Sequence, residues 1–235
     1  ADSSKNRLIF ESALTNHVGY SFIPGEVEFY SGKNIVDVLA SYPIISVSQT
    51  PLLGWGETVK RIFDLVVSVV LIIVLSPLLF LVVLLQKILN PGKIIYRHER
   101  VTKKGRRFNV YKFRSMRRKK GFENALASDE FRAMGREDLA KEYEKNYKVE
   151  NDPRITPFGN FLRRTSLDEL PQLFNILKGD LSLVGPRPMI ASEIDAKYSK
   201  KHGASLLSVR SGLTGLWQVS GRSDITDEQR IQLEL

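Results

Sequence analysis

The sequence predicts a helix-rich α+β fold in which one helix is embedded in a membrane. The main observation is an apolar, uncharged run of 21 residues from Leu65 to Leu85. As a helix rising about 1.5 Å per residue, this run spans about 32 Å, which matches the roughly 30 Å hydrocarbon core of a bilayer. Short β-like runs lie before it, and a hairpin pattern followed by helical patterns lies after it.

The region before the apolar run, residues 1–55, is predicted to be the tail of an α/β domain. The runs LIF at 8–10, VEFY at 27–30 and PIISV at 43–47 favour short strands, and many glycines and prolines separate them. The run NIVDVLA at 34–40 is expected to form one or two helical turns. Alone, this region is too small to make a good domain.

The apolar run has two interpretations. The simpler one is an ordinary spanning helix that tolerates one proline. However, basic residues flank both ends, with Lys60 and Arg61 before and Lys87 after. Basic flanks favour the cytoplasmic side, and both can lie there only if the helix enters the membrane and returns. Pro77 predicts a bend, and the hydroxyl of Ser76 is well placed to bond the carbonyl that Pro77 frees.

The chain has a strong net positive charge, and much of it lies in one block. The sequence holds 35 Lys and Arg against 26 Asp and Glu, and twelve of the 24 residues in 97–120 are Lys or Arg. Such a block suits anionic lipid headgroups, nucleic acid or a phosphorylated substrate. The chain has no cysteine, which excludes disulfides, a thiolate nucleophile and Cys-ligated metals.

The residues after the apolar run predict several short elements. A β-hairpin is expected over 94–116 around the turn TKKGR, and a solvated or surface-lying helix with a weak apolar stripe over 123–148. The other expected elements are a loop at 151–159, a short helix at 160–164, a strand and turn at 179–188, a helix at 191–202 and a glycine-rich loop at 211–222.

An acidic pair, Asp168 and Glu169, lies in the densest stretch of polar residues. Ser166 and Glu169 have the spacing of a capping box. Pro171 fits only in the first turn of a helix, so a helix is expected to begin close to Asp168. On this basis alone, the pair simply caps a helix.

The same pair has a chemical interpretation. A helix N-terminus together with Arg163 and Arg164 would favour the ionised form of Asp168. An ionised carboxylate can attack phosphorus and form an acyl phosphate. The carboxylate of Glu169 could then hold Mg²⁺, which neutralises phosphate oxygens.

Several motifs follow one another in a fixed order. They are KRIFDL at 60–65, the Ser76–Pro77 pair, YKFRSM at 111–116, NDPRITPFG at 151–159, RRTSLDELPQL at 163–173, GDLSLVGPRP at 179–188 and GLTGLWQVSGR at 212–222. In these motifs the chain resembles the bacterial sugar transferase family, the monotopic phosphoglycosyl transferases. The resemblance covers about residues 57–230.

The resemblance implies a domain plan. Residues 1–55 would end a Rossmann-like accessory domain, residues 56–93 would form a re-entrant membrane helix broken at Ser76–Pro77, and residues 94–235 would form the catalytic domain. That domain would lie on the cytosolic face of the bacterial inner membrane. We expect the chain to be a piece of a longer protein, truncated at its C-terminus.

The resemblance also implies a reaction. Asp168 would attack the sugar-linked phosphorus of a UDP-sugar, UMP would leave, and polyprenyl (undecaprenyl) phosphate would then take the phosphosugar. Glu169 would bind Mg²⁺, and Arg187 would recognise the nucleotide. The candidates for phosphate contacts are Lys112, Arg114 and Arg163.

Two other classes of protein remain open from the residues. A membrane-tethered nucleic-acid binder would use the basic block at 97–120, in which aromatic residues alternate with charge. A membrane adaptor would use Asp168 and Glu169 only as helix caps. The family resemblance predicts no nucleic-acid partner and is compatible with a homodimer.

Overall fold

The structure is a computed structural model of the chain. It describes residues 5, 9, 12–13, 20–22, 33–39, 42–48, 55–117, 127–146, 149, 152–198, 203, 205–220 and 233. These fall into two compact units. The first is drawn from residues 1–71, 99–109 and 173–235, and the second from residues 72–98 and 110–172. The fold is mixed helix and strand, as the sequence predicts.

An antiparallel sheet of three strands lies at the start of the first unit. Strands β1 (Tyr20–Phe22), β2 (Lys33–Leu39) and β3 (Tyr42–Ser48) are ordered β1-β3-β2. The register pairs Val36 with Ile45, so β-branched residues face each other across the two longer strands.

The sheet corrects the predictions for this region in part. The strand at 43–47 is confirmed, but 34–39 forms a strand where helical turns were expected, because its β-branched residues find partners in β3. Ile9 is helical, so the strand expected at 8–10 is wrong at that residue. The run at 27–30 lies outside the described residues. The accessory domain remains a prediction.

The apolar run lies within one long helix, α1 (Trp55–Leu89), which continues through Pro77. The Ser76 hydroxyl donates to the Ile73 carbonyl at 2.7 Å. This carbonyl lies four residues before Pro77 and therefore lacks its usual N–H partner. The predicted hydroxyl bond is confirmed. The helix assignment continues through Pro77, and the break predicted at Ser76–Pro77 stays a prediction.

The exposure of α1 distinguishes it from a core helix. It is long and apolar enough to cross a membrane, and only 11% of its most apolar stretch is buried in the protein. A core helix of a globular protein would be mostly buried. Length, composition and exposure together therefore indicate a helix in contact with lipid.

The N-terminal part of α1 is fixed by polar contacts. The buried carboxylate of Asp64 accepts hydrogen bonds from Lys60 and, at 2.7 Å, from the Ser182 hydroxyl. The guanidinium of Arg61 donates to two carbonyls in the last turn of the helix Gln172–Lys178. Both basic side chains, Lys60 and Arg61, thus bind groups of the protein itself. Their place beside the apolar run is therefore not evidence that they contact lipid headgroups.

The remaining elements follow α1 in chain order. They are β4 (Ile95–Thr102), β5 (Arg106–Phe113), α2 (Ala127–Ala133), α3 (Glu137–Asn146), α4 (Pro157–Arg164), α5 (Gln172–Lys178), β6 (Ser182–Val184), α6 (Ala191–Lys197), β7 (Gly212–Thr214) and α7 (Leu216–Val219). Strands β4 and β5 form the predicted hairpin, and β6 pairs with β7 in parallel. The strand predicted before the 185–188 turn and the helix predicted from 191 are confirmed.

The helix predicted over 123–148 is two helices in the described residues. Helices α2 and α3 are separated at Gly135, whose φ of +73° lies in the left-handed region. Phe131 and Leu139 are buried in one cluster of apolar residues, so the two helices face a core and are not simply solvated. The weak periodicity of the sequence reflects this turn, because the apolar stripe changes direction there.

Two predicted loops contain regular structure. Helix α4 begins at Pro157, three residues earlier than predicted, because the Thr156 side chain accepts from the Gly159 N–H at 2.9 Å and caps it. The loop predicted at 211–222 contains β7 and α7. Gly212 allows this pairing, because a Cβ atom there would collide with the backbone of Gly185.

Each unit has its own apolar core. In the first unit one cluster of buried residues contains Val101, Met189, Ile194, Tyr198 and Leu206. In the second unit, Val82 of α1 packs against Phe113 and Leu162, and Leu167 and Phe158 join this cluster. The second cluster ties the end of β5 and α4 to the membrane helix, directly beside the acidic pair.

Candidate active site

The acidic pair lies in a short 3₁₀ turn, Leu167–Glu169, in the second unit. Ser166 precedes it with a φ of +56°, and its side chain makes no cap hydrogen bond, so the predicted capping box is not formed. The turn is closed by the backbone instead, with the Glu169 N–H donating to the Ser166 carbonyl. Helix α5 begins only at Gln172. A 3₁₀ turn thus lies at the place where a helix was expected to begin, and the α-helix starts four residues after Asp168.

Burial dominates the electrostatics of Asp168. Its side chain is only 8% exposed, and this burial raises the pKa of its carboxyl. The positive charges of Lys112 and Arg163 act in the opposite direction, while the charge of Glu169 raises the pKa further. The expected stabilisation of the ionised form by arginine is present, but burial outweighs it.

Lys112 lies on β5 and connects the hairpin to the acidic pair. Its ammonium group is 2.7 Å from a carboxylate oxygen of Glu169, and both side chains are about one-third exposed. The charge of Lys112 also lowers the pKa of Asp168, so this one cation acts on both carboxyl groups. A group of this kind can exchange a carboxylate for a phosphate oxygen of a bound substrate.

Arg163 is held in place by a residue that the sequence reasoning did not single out. Its Nε donates to the Ser115 hydroxyl at 2.8 Å. The Ser115 carbonyl accepts from the Thr156 N–H at 3.2 Å, and a Cβ at Gly159 would collide with that carbonyl. Backbone therefore packs directly on backbone here. Ser115 lies in the motif YKFRSM and Gly159 in NDPRITPFG, and this is the only sign of the contact in the sequence.

Arg114 is directed elsewhere in the structure. Its guanidinium donates to the carbonyls of Asn90 at 2.6 Å and Pro91 at 2.7 Å, at the C-terminal end of α1. Burial lowers the pKa of Arg114, and the charge of Arg117 lowers it further. Arg114 thus stabilises a helix end. Its contact with phosphate remains a prediction.

Arg187 lies in the first unit, in the turn between β6 and α6, and is half-buried. This turn is fixed by hydrogen bonds from the Gly212 N–H to the Pro186 carbonyl and from the Val101 N–H to the Met189 carbonyl. The role of Arg187 toward a nucleotide remains a prediction.

A buried ion cluster supports the segment before α4. Arg154 contacts Asp152 at 2.6 Å and Glu130 at 3.0 Å, and its guanidinium lies 4.2 Å from the centre of the Phe131 ring. All three charged side chains are at least nine-tenths buried. Sequence reasoning missed this cluster because Glu130 lies in a mixed-charge stretch that favours a solvated helix.

The described residues contain no group of three or more His, Asp or Glu side chains able to hold a metal ion. The Glu169 carboxylate, which is about one-third exposed and paired with Lys112, is nevertheless open to an ion. Mg²⁺ is commonly bound by one or two carboxylates together with substrate phosphates and water. The donor set therefore fits a Mg²⁺ ion shared with a phosphorylated substrate.

Comparison with known proteins gives a consistent result. Residues 55–235 match the model of the family described as bacterial sugar transferase. The undecaprenyl-phosphate galactose phosphotransferase of Salmonella typhimurium is 44% identical over 178 residues, which cover 74% of this chain and 35% of that protein. The UDP-galactose-lipid carrier transferase of Erwinia amylovora is 42% identical, covering 81% of this chain and 38% of that protein.

A shorter relative is matched over most of its length. The exopolysaccharide production protein ExoY of Rhizobium meliloti is 40% identical over 179 residues, which cover 76% of each chain. In contrast, the chain spans little more than a third of the length of the Salmonella and Erwinia relatives.

Proposed function

Because the chain belongs to the bacterial sugar transferase family, we propose that it transfers a sugar 1-phosphate from a UDP-sugar to polyprenyl phosphate, with release of UMP. The names of the relatives supply the two substrate classes. The observation that carries the proposal is the buried carboxyl of Asp168, acted on by the positive charges of Lys112 and Arg163 and next to Glu169.

The first step forms a covalent intermediate. A carboxylate oxygen of Asp168 attacks the sugar-linked phosphorus of the UDP-sugar, and the bond from this phosphorus to the bridging oxygen breaks. UMP leaves with that electron pair, and the phosphosugar stays on Asp168. In the second step a phosphate oxygen of the lipid attacks the same phosphorus and releases the carboxylate. Each step makes one P–O bond and breaks one.

Four further side chains have distinct proposed roles. Lys112 and Arg163 favour the ionised nucleophile and bind phosphate oxygens, and Arg187 contacts the nucleotide. Glu169 would hold Mg²⁺. When bound, Mg²⁺ would neutralise charge on the phosphate oxygens. The buried setting of Asp168 strengthens these electrostatic interactions, because water screens them poorly there.

The membrane helix is proposed to be re-entrant, with both ends on the cytosolic face of the inner membrane. Asp64 near its start bonds Ser182, and Gln86 near its end bonds the Arg114 carbonyl. Both ends thus contact the chain that follows α1, and α1 is the only helix in the described residues suited to crossing a membrane. A spanning helix would require that later chain to cross as well.

The class of nucleic-acid binder is not favoured. Much of the basic block is neutralised by carboxylates of the protein, as in the ion pairs Arg106–Asp180 and Arg107–Glu99. These pairs leave less positive charge for a nucleic-acid backbone. The donor is proposed to be a UDP-hexose, since galactose occurs in the names of the Salmonella and Erwinia relatives.

The test is capture of the covalent intermediate. Wild-type protein in membranes, given radiolabelled UDP-sugar and no lipid acceptor, should retain label and release UMP. The variant Asp168→Asn should lower both by more than about a thousandfold, because an amide is not a nucleophile. Asp195→Asn, an exposed carboxyl on α6, serves as the matched control. Full turnover by the Asp168→Asn variant would refute the assignment.

A further inference from the structure

A groove of about 650 Å³ lies in the second unit beside the end of the membrane helix. Its apolar wall includes Leu89, the last residue of α1, together with Met134 and Phe158. Leu89 and Met134 are 48% and 37% exposed, so apolar surface is available to a ligand. The volume and the mostly apolar lining are those of a ligand site.

We propose that this groove binds the first isoprene units of the polyprenyl phosphate acceptor, with the lipid phosphate near Arg117. The proposal rests on the proposed function and deepens it by assigning a place to the acceptor. A polyprenyl phosphate combines an apolar chain with a single anionic headgroup. The groove offers the same two features beside the end of a lipid-exposed helix.

The charges of the groove are complementary to one phosphate group. Two arginines line it, but Arg154 is held in buried ion pairs with two carboxylates, Asp152 and Glu130, which more than offset its single positive charge. The guanidinium of Arg117 instead donates to the Leu89 carbonyl and the Asn90 side chain. Among the described residues it forms no ion pair with a carboxylate. One cation is therefore left to attract an anionic headgroup.

The groove adjoins the surroundings of the nucleophile. Phe158 in its wall packs in the same cluster as Leu167, the residue before Asp168. Thr156, also in the wall, bonds the Ser115 carbonyl, and the Ser115 side chain holds Arg163. A lipid chain lying in this groove would thus remain out of water beside the elements that carry Asp168 and Arg163.

Photolabelling tests the occupant. Full-length protein in vesicles of phosphatidylethanolamine and phosphatidylglycerol receives a polyprenyl phosphate with a diazirine on its first isoprene unit. We expect labelled peptides that contain Met134 or Phe158, and loss of label with excess unlabelled polyprenyl phosphate. Two results would overturn the proposal: label confined to other peptides, or label from diazirine phosphatidylglycerol at these residues that polyprenyl phosphate does not displace.

Kinetics tests the role of the groove. Met134→Trp should fill it and raise the KM for polyprenyl phosphate by about tenfold or more, while UMP release and adduct formation without acceptor stay at the wild-type rate. Ala133→Trp, on the adjoining exposed residue outside the groove, should change neither. An unchanged acceptor KM in Met134→Trp would contradict the proposal.

A second site, Arg117, provides an independent test in case the Met134 variant does not fold. Arg117→Gln should also raise the acceptor KM, and Arg117→Lys should retain most of the affinity, because it keeps the charge. Adduct formation without acceptor reports that each variant is folded. If only the groove proposal fails, the phosphosugar adduct still forms on Asp168. If the proposed function fails, no adduct forms on Asp168 even in the wild-type protein. The two outcomes are therefore distinguishable.

Discussion

At the scale of single residues, the site depends on opposing influences on one carboxyl. Burial raises the pKa of Asp168, and Lys112 and Arg163 lower it. The nucleophile must be ionised to attack phosphorus, so its pKa sets the acidic limit of the first step. The charge of Lys112 should therefore be visible in a pH profile, separately from any contact it makes with substrate.

The corresponding prediction concerns Lys112→Met. Loss of the positive charge should move the acidic limb of adduct formation to higher pH than in the wild type, because the pKa of Asp168 rises. Lys112→Arg should keep the limb close to its wild-type position. The measurement is single-turnover UMP release against pH, with Lys141→Met on exposed α3 as control. A limb that does not move would show that Lys112 acts only on binding.

A second prediction concerns stability. The folded-state pKa of Asp168 lies above its ordinary value of 3.8, so the folded protein binds the proton more tightly than the unfolded chain. The ionised carboxyl therefore destabilises the fold at neutral pH, and this cost disappears as the pH falls to about 4 or below. Asp168→Asn should raise the melting temperature at pH 7, with a difference that shrinks on acidification. An equal or lower melting temperature at pH 7 would contradict this.

Sequence reasoning at the residue scale identified chemical types better than surroundings. Asp168, Glu169, Lys112 and Arg163 were all predicted, and the structure connects them through an ion pair and through charge effects on Asp168. The direction of the pKa shift could not be predicted. It depends on burial by residues distant in sequence, whereas the local motif displays only the positive neighbours.

At the scale of elements, the decisive contact is between α4 and the end of β5. Gly159 lies inside a helix, where alanine is normally the more stabilising residue by about 0.5–1 kcal/mol. Here a Cβ would collide with the carbonyl of Ser115, so the usual sign should be reversed. The same Ser115 accepts the hydrogen bond of Arg163, so the contact also fixes that side chain.

Gly159→Ala is therefore predicted to lower the free energy of unfolding by about 1–3 kcal/mol, the usual cost of overpacking. Because the backbones must separate, UMP release should also fall. Gly135→Ala provides a contrast, since no atom lies within 4 Å of a Cβ there and only the strain of its positive φ is added. Denaturant unfolding and UMP release would be measured for both. A stabilised Gly159→Ala variant would contradict the prediction.

Elements with strong local signals were predicted, and elements that depend on partners were not. The hairpin β4–β5 has alternating residues around a polar turn, and the structure confirms it. Strand β7 and helix α7 lie in a glycine-rich segment without periodicity. That segment becomes regular because Gly212 and Gly185 allow two backbones to approach, which requires knowledge of the partner strand.

At the scale of the whole molecule, the topology depends on the side of the membrane on which each end of α1 lies. The continuous helix would be about 52 Å long if straight, well beyond a bilayer core of roughly 30 Å. Polar side chains bind protein near both ends, through Asp64 and Gln86. The missing N–H at Pro77 is the weakest point between them, so a bend is expected there.

The last prediction tests this topology with cysteine labelling, for which the cysteine-free sequence is well suited. Thr58→Cys and Lys93→Cys report the two ends, and both should react with a membrane-impermeant maleimide in inverted vesicles but not in right-side-out vesicles. Lys93 is used instead of Gly92 for two reasons. The backbone of Gly92 has a φ of +124°, and a Cβ atom there would lie 2.7 Å from the Arg114 guanidinium. Ile73→Cys, on the exposed apolar face, should react in neither preparation. Reaction of the two ends from opposite sides would establish a spanning helix, and the re-entrant anchor would have to be abandoned.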